Sequence, residues 1–385
     1  MAIAVAGSLL AEVHFGTFRI PAVVWQMLFG VLIGPQVLGL VKPGPTLLWV
    51  GDTMGLAALF FMAGMDLDLE KVKGRPLKLA FFGWLISLVI AAVAATLLHL
   101  LPFVDTPMLI ALVLCTTAMG TFMPMLRDAG HTSTRFGNLV LAAGAAGEFL
   151  PIMVVSLVLT RRYGAGKELF LILCFIAVAV GAAAVAIGVR PPRVILLLRR
   201  TMHSSTQLPV LLSLLVLAVF DLFSEQIGLE SLLGAFAAGM VVGLASKDEE
   251  AKPFRAKMEA ICFGFLIPFF FVVSGMNLDL GALLHDRKSL LLVPVFLLLF
   301  LVVRGAPVVL YRNDITRNQR LPFVLYSATA LPLVVAVTNI GVRTGQLRSD
   351  MAASLVGAGL LSVLLFPAPA GMLLARNAAV VRTDR

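Results

Sequence analysis

Long apolar runs recur along almost the whole chain, and they limit the folds that it can adopt. One of them extends from Phe136 to Thr160. A helix of about 20 apolar residues is long enough to cross a bilayer. The sequence is 60% hydrophobic and only 13% charged, whereas soluble domains carry about 25% charged residues. The chain is therefore predicted to be an all-α, polytopic membrane protein.

We predict about thirteen transmembrane helices, the first of them short for a complete span. The hydrophobic segments cover 1–13, 20–41, 51–65, 77–101, 107–126, 136–160, 168–189, 206–223, 229–245, 258–276, 289–311, 321–342 and 350–375. Lysine and arginine are concentrated in alternate loops, and these residues favour the cytoplasmic side. This bias predicts a multi-pass protein of the cell (plasma) membrane with its N-terminus outside and its C-terminus in the cytoplasm.

The charge and cysteine patterns exclude several classes of function. The net charge of +9 does not indicate a nucleic-acid partner, because the cations lie in short loops between spans. Cys115, Cys174 and Cys262 lie in apolar segments without the spacing of a metal cluster or a disulfide framework. We therefore expect no cofactor. No nucleophile–base pattern is visible, so an enzyme is not expected.

The sequence contains an internal repeat. FFMAGMDLDL (60–69) resembles FFVVSGMNLDL (270–280), which has one extra residue, and each follows a glycine-punctuated span, GVLIGPQVLGL or GAFAAGMVVGL. The first six segments then correspond to the last six, with 168–189 as a linker helix. An odd number of helices separates equivalent elements, so the halves have opposite topology. Inverted repeats are typical of transporters, although chance similarity between apolar runs is the alternative.

The fifth and twelfth segments correspond in this repeat, and both contain residues that interrupt helices. These residues are Gly120 and Pro124 in the first copy and Pro332 in the second. Proline removes a backbone donor and breaks or kinks a helix. Hydroxyl and amide side chains nearby can offer oxygens to an ion: Thr116, Thr117, Thr338 and Asn339. Symmetry-related breaks favour a binding site over ordinary kinks.

Glu148, in LAAGAAGEFLPIMVV (141–155), is the only acid deep in any predicted span. A charge at the centre of a membrane helix costs roughly 2.5–3.5 kcal/mol on insertion scales, so such residues are usually functional. Small neighbours such as Gly147 allow close helix approach and access of water. The alternative is a structural ion pair with Arg304, which lies within LVVRGAPVV.

With these residues in hand, the chain resembles the sodium/proton exchanger superfamily, and specifically the Kef- and Nap-type monovalent cation:proton antiporters. The resemblance rests on IPAVVWQMLFGVLIGPQVLGLV (20–41), LFFMAGMDLDLEKVK (59–73), LCTTAMGTFMPMLRDAG (114–130), LLGAFAAGMVVG (232–243) and IPFFFVVSGMNLDL (267–280). It implies an antiporter fold of the Nap type, with two crossed discontinuous helices.

The resemblance also implies two domains and a mode of movement. A panel domain that mediates homodimerisation would comprise 1–65 and 206–276, and a core ion-binding domain would comprise 77–160 and 289–375. The core would move in an elevator-like manner. A cytoplasmic nucleotide-binding domain, as Kef-type proteins carry, is not expected here.

The chain departs from the family pattern at two places. Gly147-Glu148 stands where family members usually carry an aspartate preceded by another polar residue. One carboxylate instead of two implies electroneutral exchange of one cation for one proton. The twelfth segment reads ATALPLV and lacks the usual charged pattern, so Arg304 or the dipoles of the broken helices would supply the counter-charge.

The leading hypothesis is therefore a secondary antiporter that exchanges Na⁺ or K⁺ for H⁺. Glu148 is predicted as the shared site of the transported cation and the proton, with Thr116, Thr117, Thr338 and Asn339 as neutral ligands. A first alternative is proton-coupled efflux of an organic cation or a cation–ionophore complex, favoured by Met119, Met123, Met125 and Met153. A second alternative is a non-transporting sensor or scaffold.

Overall fold

Up to residue 159, the chain folds into seven helices in the described part of a computed structural model. The structure describes residues 2–12, 20–67, 74–101, 103–128, 130–132, 134–159, 206–246, 251–285 and 287–374, and 171–184 discontinuously. The helices are α1 (Ala2–Glu12), α2 (Ala22–Ile33), α3 (Pro45–Met65), α4 (Arg75–Leu100), α5 (Pro107–Leu114), α6 (Met119–Asp128) and α7 (Arg135–Leu159). The stretch Trp49–Gly55 within α3 is π-helical.

The second half contributes eight helices within the described residues. They are α8 (Leu208–Gln226), α9 (Ser231–Ala245), α10 (Lys252–Asn277), α11 (Leu280–His285), α12 (Arg287–Tyr311), α13 (Arg317–Ser327), α14 (Pro332–Arg343) and α15 (Ser349–Leu374). Cys262–Leu266 within α10 is π-helical, and α12 ends in the 3₁₀ turn Ala306–Tyr311. The predicted linker helix 168–189 lies partly outside the described residues.

The helices confirm the predicted multi-pass membrane protein. Within the described residues, eight helices are long and apolar enough to cross a bilayer, and several shorter apolar helices accompany them. The discontinuous helices predicted in the fifth and twelfth segments are present as the pairs α5/α6 and α13/α14. The number of thirteen complete spans remains a prediction.

Two helices begin six residues earlier than predicted. The third begins at Pro45 rather than at 51, and the tenth begins at Lys252 rather than at 258. Prolines near their first turns start both helices, because proline lacks the N–H that a first turn leaves unbonded. The earlier start of α3 places Asp52 within a candidate span, as the eighth residue of the helix, instead of at the start of a segment.

The chain forms two compact units, of which unit 1 comprises Gly44–Asp68 and Ser156–Val273. Its centre is the pair α3 and α9, which touch at glycines. A Cβ on Gly64 would lie within 3.0 Å of the carbonyl oxygen of Phe236, and one on Gly239 would meet that of Phe61. Small residues allow the two backbones this close approach, as is common in membrane helices.

Unit 2 comprises Ala2–Pro43, Leu69–Val155 and Ser274–Arg385, and it contains the same packing again. A Cβ on Gly275 of α10 would lie within 3.0 Å of the carbonyl oxygen of Met27 on α2. Gly275 and Gly64 are the equivalent glycines of the two repeat motifs. Each copy of the motif therefore packs against the glycine-rich helix of the other copy, and the two contacts are equivalent in the repeat.

One end of unit 2 is held by a buried aspartate. The Oδ2 atom of Asp314 accepts a hydrogen bond from Arg75 at 2.9 Å, and Oδ1 accepts one from Arg135 at 2.5 Å. The side chain of Asp314 is 1% exposed, whereas those of the arginines are 65% and 68% exposed. Burial by itself would raise the pKa of Asp314, but the two arginines outweigh it and hold that pKa below its ordinary value.

At the opposite end of unit 2, where α4 ends, an exposed arginine pairs with two aspartates. Arg348 contacts Asp105 at 2.9 Å and Asp350 at 2.6 Å. The side chains of Arg348 and Asp105 are 58% and 64% exposed. Asp105 precedes α5 as Asp314 precedes α13, and Arg348 precedes α15 much as Arg135 begins α7. The two clusters are therefore equivalent positions of the two repeats.

Candidate functional site

The first discontinuous helix is interrupted between α5 and α6, where residues 116–118 have no regular secondary structure. Two of their backbone N–H groups donate to carbonyl oxygens outside α5 and α6. The Thr117 N–H donates to the carbonyl oxygen of Gly147 at 2.9 Å, and the Ala118 N–H donates to that of Thr329 at 2.7 Å. Unwound backbone is tolerated at membrane depth only when such partners are available.

The second interruption lies between α13 and α14, where residues 329–331 have no regular structure. The Thr117 hydroxyl donates to the carbonyl oxygen of Ser327 at 2.7 Å. Both the N–H and the carbonyl of Ala330 bond the hydroxyl of Ser362 at 3.0 Å. Since Thr117 and Ala118 contact Ser327 and Thr329, the two interrupted stretches meet one another.

Glu148 lies beside this meeting point. Its Oε1 atom accepts a hydrogen bond from the Met119 N–H at 2.9 Å. Met119 is the first residue of α6, so the carboxylate lies at a helix N-terminus, where the helix dipole favours negative charge. Residues 141–147 are buried, whereas Glu148 is partly exposed. The carboxylate is thus both stabilised as an anion and reachable.

Arg304 is buried in the same cluster, with 4% of its surface exposed. Its Nε donates to the Thr117 hydroxyl at 2.8 Å, its Nη1 to the Ser87 hydroxyl at 3.3 Å and its Nη2 to the carbonyl oxygen of Ala143 at 3.0 Å. These neutral oxygens belong to α4, to the first interruption and to α7. The guanidinium therefore ties three elements of the site together, and its pairing with Glu148 remains a prediction.

Gly147 provides the space that this arrangement needs. A Cβ at this position would lie 2.5 Å from the Thr117 hydroxyl oxygen and 2.6 Å from the Arg304 Nη2 atom. Both atoms are fixed by hydrogen bonds, so neither can move aside without breaking one. A larger residue here would displace the guanidinium or the interrupted stretch.

The predicted neutral ligands have different surroundings. Thr116 is fully buried next to Thr117, and its hydroxyl donates to the carbonyl oxygen of Val113 at 2.7 Å. The Thr338 hydroxyl bonds its own helix at Val334, and the Asn339 amide donates to Ser274 at 3.2 Å. The structure thus brings Thr117 into contact with Gly147, next to Glu148, whereas the hydroxyls of Thr116 and Thr338 bond preceding residues of their own segments and the Asn339 amide bonds α10. Their role as ligands remains a prediction.

The predicted helix-breaking residues lie close to the interruptions. Gly120 is the second residue of α6, and Pro124 lies further along that helix. Pro332 is the first residue of α14, directly after the second interruption. Within the described residues, no group of three or more His, Cys, Asp or Glu side chains could hold a resident metal ion.

The whole-chain comparisons agree with this geometry. The family model for the transmembrane part of sodium/hydrogen exchangers matches residues 2–376. The chain belongs to the sodium/hydrogen exchanger family. The chain is 26% identical over 370 residues to the putative Na(+)/H(+) antiporter YjbQ of Bacillus subtilis, a match that covers 92% of this chain and 59% of YjbQ. It is 24% identical over 351 residues to the Na(+)/H(+)-K(+) antiporter GerN of Bacillus cereus, a match that covers 90% of this chain and 88% of GerN.

A solved structure supports the fold. The chain resembles the sodium proton antiporter MjNhaP1 from Methanocaldococcus jannaschii with a TM-score of 0.67, over 97% of this chain and 96% of that one, at 19% identity. The predicted fold is therefore confirmed, and the protein is a multi-pass integral membrane protein.

Sequence reasoning missed several polar groups of the candidate site. Ser87 holds Arg304 from the middle of α4, and its own hydroxyl donates to the carbonyl oxygen of Val303 at 2.8 Å. The other missed groups are backbone atoms of Met119, Ala143, Ser327 and Thr329. No sequence signal identifies a backbone atom as a partner, since every residue type carries one.

Proposed function

We propose that this exchanger swaps one monovalent cation, Na⁺ or K⁺, for one proton, and that Glu148 binds each of them in turn. The observation that carries the proposal is the contact of the Glu148 carboxylate with the N-terminus of α6, where two interrupted helices meet. The names of YjbQ and GerN, both Na(+)/H(+) antiporters, support cation:proton exchange.

The chemistry of the site suits alternate binding. A protonated carboxyl is neutral, and a carboxylate with one bound monovalent cation is neutral as well. The Met119 N–H stabilises the ionised form between the two states. Oxygens of Thr116 and Thr117, together with carbonyls freed by the interruptions, would replace part of the hydration shell of the cation, as carbonyl rings do in channels.

A single carboxylate also sets the stoichiometry. One proton leaves for each cation that enters, so the exchange is electroneutral in this proposal. Arg304 keeps its charge throughout, because a guanidinium does not deprotonate in proteins. Its bonds to Ser87, Thr117 and Ala143 would hold the site's shape while the ion changes.

The movement that we propose is of the elevator type, in a homodimer. The moving part would contain α4–α7 and α12–α15, which carry every group of the site and belong to unit 2. Because these helices share the buried Arg304 and the crossing interruptions, the site would travel as one body and face each side of the membrane alternately. The panel domain at 1–65 and 206–276 remains a prediction of the sequence.

Transport in proteoliposomes tests the proposal. Purified protein would be reconstituted with a pH-sensitive dye inside and pulsed with Na⁺, K⁺, Li⁺ or choline, beside Glu148→Gln and the matched control Glu225→Gln, an exposed acid at the end of α8. We expect a cation-dependent pH change that Glu148→Gln abolishes and Glu225→Gln retains. Exchange that persists in Glu148→Gln would refute the role of Glu148, and a voltage clamp would test electroneutrality.

The same assay separates the alternatives. A proton flux that needs an organic cation or a cation–ionophore complex, and ignores Na⁺ and K⁺, would identify the efflux function. No flux with any of these ions in well-inserted protein would favour the non-transporting sensor or scaffold.

A further inference from the structure

A strongly basic surface lies at the end of unit 2 that contains Asp314. Its members are exposed cations at the starts of α4, α7 and α13, at the end of α6 and in the adjoining turn: Arg75, Lys78, Arg127, Arg135, Arg312 and Arg317. We call this set the arginine surface. Asp314 is an acidic residue at this end, but its side chain is only 1% exposed. Two of the arginines cover it, so it adds little negative charge to the surface.

The arginine surface lies at the level of the lipid headgroups. Immediately next to Arg75 and Lys78 on α4, the side chains of Leu77, Phe81 and Phe82 are 45%, 44% and 57% exposed. Large apolar side chains exposed on a membrane-spanning helix face acyl chains. Cations one turn further along the same helix are therefore at the boundary between the acyl chains and the water.

Two of the arginines are held in place before any ligand arrives. Arg75 and Arg135 each use one terminal nitrogen on Asp314, and each side chain is still more than half exposed. The remaining N–H groups are thus presented outward from a fixed position. Arginine binds phosphate with two parallel N–H groups, and a preorganised donor loses less conformational entropy on binding.

The other end of unit 2 lacks this property. There Arg348 is balanced by two aspartates, Asp105 and Asp350, of which Asp105 is 64% exposed. The two arginines at Asp314 leave one net positive charge, and four further exposed cations lie at the same end. Exposed cations also occur at the opposite end, including Arg287 and Arg343, but the arginine pair held by a buried carboxylate is found at the Asp314 end. Charge complementarity and preorganisation therefore favour an anionic partner more strongly at the Asp314 end.

We propose that the arginine surface is a binding site for the phosphodiester headgroup of anionic phospholipids. Juxtamembrane cations attract an anionic leaflet by about 1 kcal/mol each, which is about a fivefold change in affinity per cation. The bound lipid would lie against the ends of α4, α7 and α13 in one leaflet. General attraction of cations to the membrane would not distinguish the arginine surface from the exposed cations at the opposite end of unit 2.

Native mass spectrometry of the purified full-length protein tests this site. The probes are a phosphatidylglycerol, a phosphatidylcholine of the same acyl chains, and inorganic phosphate. Lys78→Gln/Arg317→Gln removes two cations without touching Asp314, and Arg287→Gln/Arg343→Gln removes two exposed cations from the opposite end. We expect phosphatidylglycerol to bind in preference to phosphatidylcholine, and the first pair, but not the second, to weaken this binding by more than tenfold.

Three results would overturn the proposal. Equal binding of the two lipids would show that headgroup charge is not recognised. Equal losses in the two double variants would show that attraction is spread over all surface cations. Displacement of phosphatidylglycerol by millimolar inorganic phosphate would identify a site for free phosphate instead of lipid. Thermal unfolding of both variants without lipid checks that each remains folded.

Discussion

The two ends of unit 2 carry equivalent ion clusters with opposite construction. At one end a single buried carboxylate, Asp314, gathers two exposed arginines. At the other end a single exposed arginine, Arg348, gathers two aspartates. The repeat therefore preserves an aspartate before the interrupted helix and an arginine at the start of the last helix, while the surroundings differ.

The difference shows that position in the repeat does not determine the energy of an ion pair. A pair between exposed side chains contributes about 0–1 kcal/mol, because water and salt screen it. A carboxylate that has lost its water needs its partners, since an unsatisfied buried group costs about 1–3 kcal/mol. We therefore expect the Asp314 cluster to hold unit 2 together and the Arg348 cluster to contribute little.

Asp314→Asn is the strongest test of this comparison. The amide removes the charge that holds Arg75 and Arg135, although both arginines can still be solvated. We expect a loss of about 2 kcal/mol in the free energy of unfolding, less than for a pair buried on both sides. Thermal unfolding in detergent measures it. A loss no larger than that of Asp105→Asn would remove the distinction between the two ends.

The dependence of stability on pH sharpens the comparison. Because Arg75 and Arg135 hold the pKa of Asp314 below its ordinary value, the stabilisation is complete above the unfolded pKa of about 3.9 and is lost as the pH falls through the lower folded pKa. The stability difference between the wild type and Asp314→Asn should therefore be constant at neutral pH and narrow below about pH 4. A difference that stays constant down to pH 2.5 would contradict a charge-based role of Asp314.

Asp105→Asn has the smallest expected effect. Its partner Arg348 keeps Asp350, and both Asp105 and Arg348 are more than half exposed. We expect a loss of less than about 1 kcal/mol, and less still in high salt. Unfolding of the variant and the wild type at low and high salt measures it. A loss of several kcal/mol, insensitive to salt, would show that this end is also a rigid fastening.

The spans and the repeat could be predicted because both depend on the types of side chain along the sequence. Apolar runs determine which segments enter a membrane, and the FF–GM motif contains the glycines that later proved to be contacts, Gly64 and Gly275. Asp52 was missed because its span was predicted to begin at 51, whereas the helix begins at Pro45. Asp52 was then the second residue of the predicted segment, where an acid is readily solvated.

The candidate site was only partly predictable. Glu148, Thr117 and Arg304 stand out as polar residues in apolar runs, and the structure places all three at the interruptions. The place where each helix is interrupted depends on distant backbone partners, such as the bond of Thr117 to the carbonyl of Gly147. Such bonds exist only once the helices have packed, so no local pattern contains them.

The π-helical stretches of α3 and α10 show that the repeat extends to an irregularity of the backbone. They lie in corresponding spans: Phe60 aligns with Phe270, so 52–55 align with 262–265, and both stretches include these residues. The two stretches also touch, since a Cβ on Gly55 would lie 2.6 Å from the carbonyl oxygen of Leu266. A π turn is a rare departure from the α-helix, and here one wide turn packs against its equivalent in the other repeat.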